Sequence, residues 1–123
     1  MGALADATLT PLERRVLERF VRQLEADLGD RLRSVWLYGS RARGEQPGPE
    51  SDVDVLVIAS GVTWNNYSSV SHLLYSAAEE EGANPVLFSV HVYDPERLAH
   101  RREIKSFFIQ EVDRDKIVLY GEP

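Results

Sequence analysis

The sequence predicts an α/β domain (α+β in the broad sense): a mixed β-sheet with helices packed on it. Three observations predict it. Apolar residues recur at helical spacing in a long N-terminal segment and again in a central one. Two short apolar runs, Val35–Tyr38 and Val53–Ala59, have the length and β-branched character of buried strands. The elements follow one another as α-β-β-α-β-α-β, an order that places helices against a sheet. The chain has 123 residues, which fits a single domain with a real core.

Residues 1–9 read as a loose N-terminal arm, and residues 10–121 as the domain. Thr10-Pro11-Leu12-Glu13 is a helix start: Thr10 caps, Pro11 suits the first turn, and Glu13 completes a capping box. Leu12, Val16, Leu17, Phe20, Val21, Leu24 and Leu28 then form one apolar face, and Gly29 ends the helix. Arg33–Tyr38 is the first strand. Gly39-Ser40 breaks it, and Ser40–Gly44 is expected to make one helical turn. Glu45–Glu50, with Pro47, Gly48 and Pro49, is a loop. Val53–Ala59 is a strand apolar enough to be covered on both faces.

Thr63–Glu81 is the second helix, on the spacing of Trp64, Tyr67, Val70, Leu73, Leu74, Ala77 and Ala78. Glu79-Glu80-Glu81 closes it with charges of the wrong sign for a helix C-terminus. Val86–Tyr93 is a third strand, with Val86, Phe88, Val90 and Val92 facing one way and Leu87, Ser89, His91 and Tyr93 the other. Asp94-Pro95-Glu96 starts a third helix that carries Leu98, Ile104, Phe107, Phe108 and Val112. Ile117–Tyr120 is the last strand, ended by Gly121.

Net charge is −6, from 20 acidic and 14 basic residues. That balance argues against broad nucleic-acid binding, which needs many phosphate-neutralising cations. It leaves room for one nucleotide held by a few local cations. With no cysteine, disulfides and thiolate metal sites are excluded. No apolar run approaches the ~20 residues of a membrane span, and Met1–Ala7 lacks a secretory pattern. A cytoplasmic location is expected.

The chemistry concentrates in Gly39-Ser40-Arg41-Ala42-Arg43-Gly44 and Ser51-Asp52-Val53-Asp54. Asp52 and Asp54 are two apart on a strand, so both carboxylates point to one face. They repel unless a cation lies between them, and Mg²⁺ takes carboxylate oxygens together with substrate phosphates. Two aspartates at that spacing are also common at solvated strand ends. The Gly-Ser turn adds to them: glycine allows close approach to a phosphate, a turn opening a helix favours anions, and Ser40 brings a hydroxyl. Arg41 and Arg43 supply a bidentate phosphate ligand, although either arginine alone would read as surface charge.

Together these residues resemble the nucleotidyltransferase superfamily of the DNA polymerase β type, and within it the small minimal nucleotidyltransferases (MNT). Eleven residues separate Ser40 from Asp52, one more than is common in the family, an excess that a Gly- and Pro-containing loop absorbs. The flanking helices, the Asp94-Pro95-Glu96 start and Leu119-Tyr120-Gly121 also fit the family's layout, so the likeness covers residues 10–121. It implies the polymerase β-like fold and Mg²⁺-dependent transfer of NMP from an NTP, ATP above all, to a hydroxyl. Gly39 and Ser40 would hold the β- and γ-phosphates, Arg41 and Arg43 would bind phosphate charge, and Asp52 and Asp54 would be the metal ligands and catalytic carboxylates. Counted back from Pro95, the family's third carboxylate falls on His91, an imidazole that can bind metal but brings one negative charge fewer.

The resemblance further implies a partner: minimal nucleotidyltransferases are paired with small helical HEPN-type toxins, which they neutralise as antitoxins, in some cases by attaching AMP to a tyrosine. Larger members carry a second helical domain for the acceptor, for which this sequence leaves no room. Three functions follow. The chain is a protein adenylyltransferase of a toxin–antitoxin pair; or a nucleotide- and partner-binding module that neutralises by complex formation, which His91 favours; or a small-molecule nucleotidyltransferase with its acceptor site across a homodimer. The residues name no nucleobase: Tyr67 and Trp64 sit at core spacing, and His100-Arg101-Arg102 with Lys105 reads as a solvated helix face.

Overall fold

The computed structural model describes residues 7–46, 52–61 and 63–123, with the side chains of residues 64–66 left aside. In chain order the elements are α1 (Pro11–Leu28), β1 (Leu32–Tyr38), β2 (Val53–Ala59), α2 (Trp64–Glu81), β3 (Phe88–Tyr93), α3 (Pro95–Glu103), α4 (Phe107–Asp115) and β4 (Ile117–Gly121). Short 3₁₀ turns at Gly29–Arg31 and Pro85–Leu87 lead into β1 and β3.

The start of α1 follows from its four opening residues. Thr10 Oγ1 accepts from the Glu13 amide at 3.1 Å, and Glu13 Oε1 accepts from the Thr10 amide at 2.8 Å, a complete capping box. The apolar stripe then buries Val16, Leu17, Phe20, Leu24 and Leu28. The acidic end of α2 lies beside α1, where Arg19 pairs with Glu80 and Glu81 and Arg15 pairs with Glu81. The wrong-sign charges are thereby matched across helices, although such open pairs add little stability.

The four strands lie in the order β3-β2-β1-β4. β1 is antiparallel to β2 and β4, while β2 and β3 are parallel. The sheet is therefore mixed, as expected. Helices α1 and α2 cover one face, with Val35, Leu37, Val53, Val55, Val57, Phe88, Val90 and Val92 beneath them. Helices α3 and α4 cover the other, over Trp36, Leu56, Ile58 and Tyr93. Strand β2 is thus buried on both sides, which explains a sequence that is apolar throughout except at Asp54.

Two expectations are corrected. Strand β3 begins at Phe88, not Val86. Asn84 Oδ1 accepts from the Val86 amide at 3.1 Å, and Pro85 opens a 3₁₀ turn that leaves Val86 80% exposed. The alternation from Phe88 onward is as expected. The third helix is two helices. The Lys105 amide donates to Arg102 O at 3.2 Å and the Ser106 amide to Arg101 O at 2.9 Å, with Lys105 at φ +53°. That is a Schellman ending with lysine where glycine is usual, so nothing in the sequence marks it. Ile104 and Phe107, expected on the apolar face of one helix, are 54% and 81% exposed.

Residues 1–6 and 47–51 lie outside the described residues, and with them most of the expected arm and loop. The described end of the arm is tied down: the Thr8 amide donates to Arg41 O at 2.9 Å, and Ala7 and Leu9 pack on the first core. No helix among the described residues is long and apolar enough to cross a membrane.

Candidate active site

Asp52, Asp54, Leu56 and Ile58 alternate toward the α3/α4 face of the sheet. Leu56 and Ile58 lie within that second core, whereas Asp54 is half-buried and Asp52 exposed at the mouth of β2. Across the sheet Asp54 is paired with Tyr38 of β1 and Ser89 of β3. The turn after β1 therefore passes directly over this carboxylate.

Gly39 adopts φ +79°, and a Cβ there would stand 2.7 Å from Asp54 Oδ2. Only glycine allows both the backbone angle and the close approach. The next residues close the expected helical turn: the Ala42 and Arg43 amides donate to Gly39 O at 3.1 and 3.2 Å, and the Glu45 amide to Ser40 O at 3.1 Å. A cavity of about 310 Å³ opens beside this turn, lined by Tyr38, Gly39, Ser40, Arg43, Asp54, Phe108, Glu111 and Val112. The turn and the second aspartate, far apart in sequence, share one space.

The two arginines separate. Arg43 lines the cavity, with Glu45 at 2.5 Å and Asp115 at 3.7 Å from its guanidinium. Arg41, expected at phosphate, is only 4% exposed; it pairs with Glu13 at 2.7 Å and donates to Thr8 O at 3.0 Å. Its side chain ties the turn to the start of α1, while its charge still lowers the pKa of Asp54 somewhat.

The net effect on Asp54 is the opposite. Burial pushes its carboxyl above the ordinary value, and the neighbouring charge of Asp52 adds to the rise. A hydrogen bond from Ser89 Oγ to Oδ1 at 3.0 Å, and the fields of His91 and Arg41, offset only part of it. Burial likewise raises the phenol of Tyr38, with the charge of Asp54 second.

His91 lies two residues beyond Ser89, in register with Leu56. Its ring packs with Tyr38 and Phe108, at centroid distances of 6.5 and 5.7 Å. Among the described residues no three His, Cys, Asp or Glu side chains form a metal-holding group. The donor set fits a divalent cation that would arrive with a nucleotide: two carboxylates at the start of β2, that of Asp54 raised by burial first and by the charge of Asp52 second, would leave the remaining positions to phosphate oxygens and water.

Five residues the sequence did not single out for this site belong to it: Tyr38, Ser89, Phe108, Glu111 and Val112. Ser89 lies on the face of its strand that the alternation predicts, but its partnership with Asp54 depends on sheet register. Tyr38 carries a local signal, standing directly before the Gly-Ser turn. Phe108 and Glu111 arrive from α4, near the other end of the chain. Tyr67 packs against the first core and is no part of the cavity, and the side chain of Trp64 lies outside the described residues. In the basic cluster, Arg102 forks onto Asp113 at 2.8 and 3.0 Å, the geometry of a structural pair.

Comparison with known proteins agrees with this architecture. A chain of a toxin–antitoxin crystal structure with AMP-PNP superposes with a TM-score of 0.55 at 24% identity, covering 85% of this chain and 73% of the other. A chain of the MntA–HpeT toxin–antitoxin, in a mutant form, gives 0.53 at 20% identity, covering 83% and 71%. The Shewanella oneidensis complex of a tri-AMPylated HEPN toxin with an MNT antitoxin gives 0.52 at 18%, covering 90% and 73%. No curated protein matches the sequence. The sequence itself matches the nucleotidyltransferase domain family over residues 15–118, a span that contains both halves of the motif, every strand but the end of β4, and the cavity between them. The chain belongs to the nucleotidyltransferase domain family.

Proposed function

We propose that this protein is a minimal nucleotidyltransferase that transfers AMP from ATP to a hydroxyl of a partner protein, and that it serves as the antitoxin of a HEPN/MNT-type pair. The observation that carries the reading is the contact between Gly39 and Asp54: the phosphate turn and the metal-binding carboxylate are built against each other and open into one cavity. Family membership and the fold shared with toxin–antitoxin chains support it. So do Ile104 and Phe107, exposed apolar residues at the α3–α4 junction, Phe107 being next in the chain to Phe108 of the cavity wall; an acceptor protein would rest on them.

On this reading Ser40 and Arg43 bind the terminal phosphates and fix their direction. Asp52 and Asp54 would hold Mg²⁺, which would supply neutralisation of phosphate charge and a lower pKa for the attacking hydroxyl. The O–P bond to AMP would form as the bond to pyrophosphate breaks, in line, and the acceptor's hydroxyl proton would pass to solvent. The chain's own contribution is positioning and preorganised charge. Mixing the protein with Mg²⁺, labelled ATP and a co-encoded small helical protein should add the mass of AMP to that partner. Replacing Asp52 and Asp54 together by Asn should abolish transfer while leaving the complex intact. Transfer that survives the double substitution would sink the proposal.

A second reading rests on the residue abreast of Asp54, which is the neutral Ser89, with His91 held among aromatic rings. On it the protein binds nucleotide and partner and neutralises by complex formation alone. His91→Asp separates the two. A higher Mg²⁺-dependent rate would mean that the missing third carboxylate limits an enzyme; no transfer from either form, with the complex still made, favours the binding module.

A further inference from the structure

The cavity lining is of two kinds, and the proposed transfer accounts for only one of them. Gly39, Ser40, Arg43 and Asp54 are its polar lining, suited to phosphates and a cation. Tyr38, Phe108 and Val112 are its apolar lining, and Glu111 lines it with them. Phe108, Glu111 and Val112 are spaced i, i+3, i+4 on α4, so they share one helix face. The Phe108 ring is held in place by neighbours. Tyr38 stands perpendicular to it at 5.3 Å between centroids, His91 lies at 5.7 Å and 64°, and Tyr93 at 6.2 Å. A half-exposed aromatic fixed on three sides and open to a cavity of nucleotide-binding size loses little freedom on accepting a flat ligand.

We propose that Phe108, braced by Tyr38, is the platform on which the nucleobase of the bound NTP lies, and that Glu111 accepts a hydrogen bond from a sugar hydroxyl or base N–H. This inference rests on the nucleotidyltransferase reading and extends it to base and sugar. Charge sets the direction of the nucleotide. Arg43 attracts the phosphates to the turn, and the Glu111 carboxylate repels them from α4, so phosphates enter toward Gly39 and the base toward Phe108. Stacking on a ring takes any base, since every base has a π-face; an acceptor-only carboxylate at the rim selects for donors.

The test uses two probes with Mg²⁺ and calorimetry: α,β-methylene-ATP, which cannot release pyrophosphate, and inorganic tripolyphosphate, which has no base. Phe108→Leu keeps apolar volume and removes the ring. It is expected to weaken the ATP analogue about 5- to 150-fold, the range of one base–aromatic stack, and to leave tripolyphosphate unchanged. Phe108→Tyr should restore the loss. Glu111→Gln should tighten tripolyphosphate by removing a repulsive charge. If Phe108→Leu weakens both probes alike, or neither, the platform is overturned while the phosphate site stands. Wild-type protein that binds neither probe overturns the nucleotide site and the platform with it. Retained tripolyphosphate binding also shows that the variant is folded.

Discussion

Two carboxylates flank the Gly39–Gly44 turn and meet opposite environments. Glu13, 7% exposed, faces the buried Arg41 guanidinium at 2.7 Å. Burial alone would raise its pKa, but the hydrogen bond from Arg41, with those of Thr10, holds it below the ordinary value. Asp54, on the other side of the turn, is pushed up by burial and by Asp52, and no cation is paired with it in the structure's ion pairs among the described residues. One side of the turn is a completed interaction that fixes the backbone. The other is an uncompensated one that a cation and a phosphate would complete. The difference separates the two carboxylates: the satisfied one ties the turn to α1, and the unsatisfied one is the proposed ligand of a cation.

Breaking the satisfied side should have the largest effect on stability. Glu13→Gln removes the carboxylate charge that faces the buried Arg41 guanidinium, and about 3 kcal/mol should be lost in denaturant unfolding. Glu13→Gln combined with Arg41→Met removes both members and should recover most of that loss. A double variant as unstable as the single would mean that the pair's shape matters more than its charge.

Gly39→Ala comes next. At φ +79° a side chain costs roughly 1–2 kcal/mol, and the added methyl must also displace Asp54. The same change in an Asp54→Ala background should cost less. Equal losses in the two backgrounds would show that the backbone angle, not the carboxylate contact, requires glycine.

Asp54→Asn sharpens the comparison from the unsatisfied side. It should raise the stability of the metal-free protein by about 1 kcal/mol, as when functional strain is relieved, because the Ser89 hydrogen bond can persist while the charge is removed. The pH dependence follows. Asp54 has a raised folded pKa, so ionising it opposes folding, and stability falls as pH rises from its ordinary 3.8 through the raised value. Glu13 has a lowered pKa, so its contribution is present above its ordinary 4.5 and is lost as pH falls through the folded value. Thermal melts across acid pH should therefore lose the first trend in Asp54→Asn and the second in Glu13→Gln. A wild-type-like profile in Asp54→Asn would refute the assignment.

The smallest effect tests the hidden helix break. Lys105→Gly removes the side chain from a left-handed position at φ +53° and should stabilise by about 0.5 kcal/mol, after the entropy of the added glycine is subtracted. A loss instead would mean that the lysine side chain contributes more than its backbone angle costs.

What the sequence determined by itself was whatever local patterns control. The Thr10–Glu13 capping box set the start of α1, continuous apolar residues marked β2 to its ends, and a Gly-Ser turn followed by two alternating aspartates marked one half of the site. Each of those signals is a local run of residues, so a linear reading can find it. The tertiary structure alone decided the rest. Lys105 ends α3 without glycine, because hydrogen bonds rather than residue type close that helix. Arg41 and Arg43 are two residues apart and alike in sequence, yet only packing against α1 tells the structural cation from the one in the cavity. Ser89 meets Asp54 through the parallel register of β2 and β3, and Phe108 and Glu111 reach the site because α4 folds back over the sheet. Contacts between distant segments depend on register and packing angles, which no local run of residues encodes.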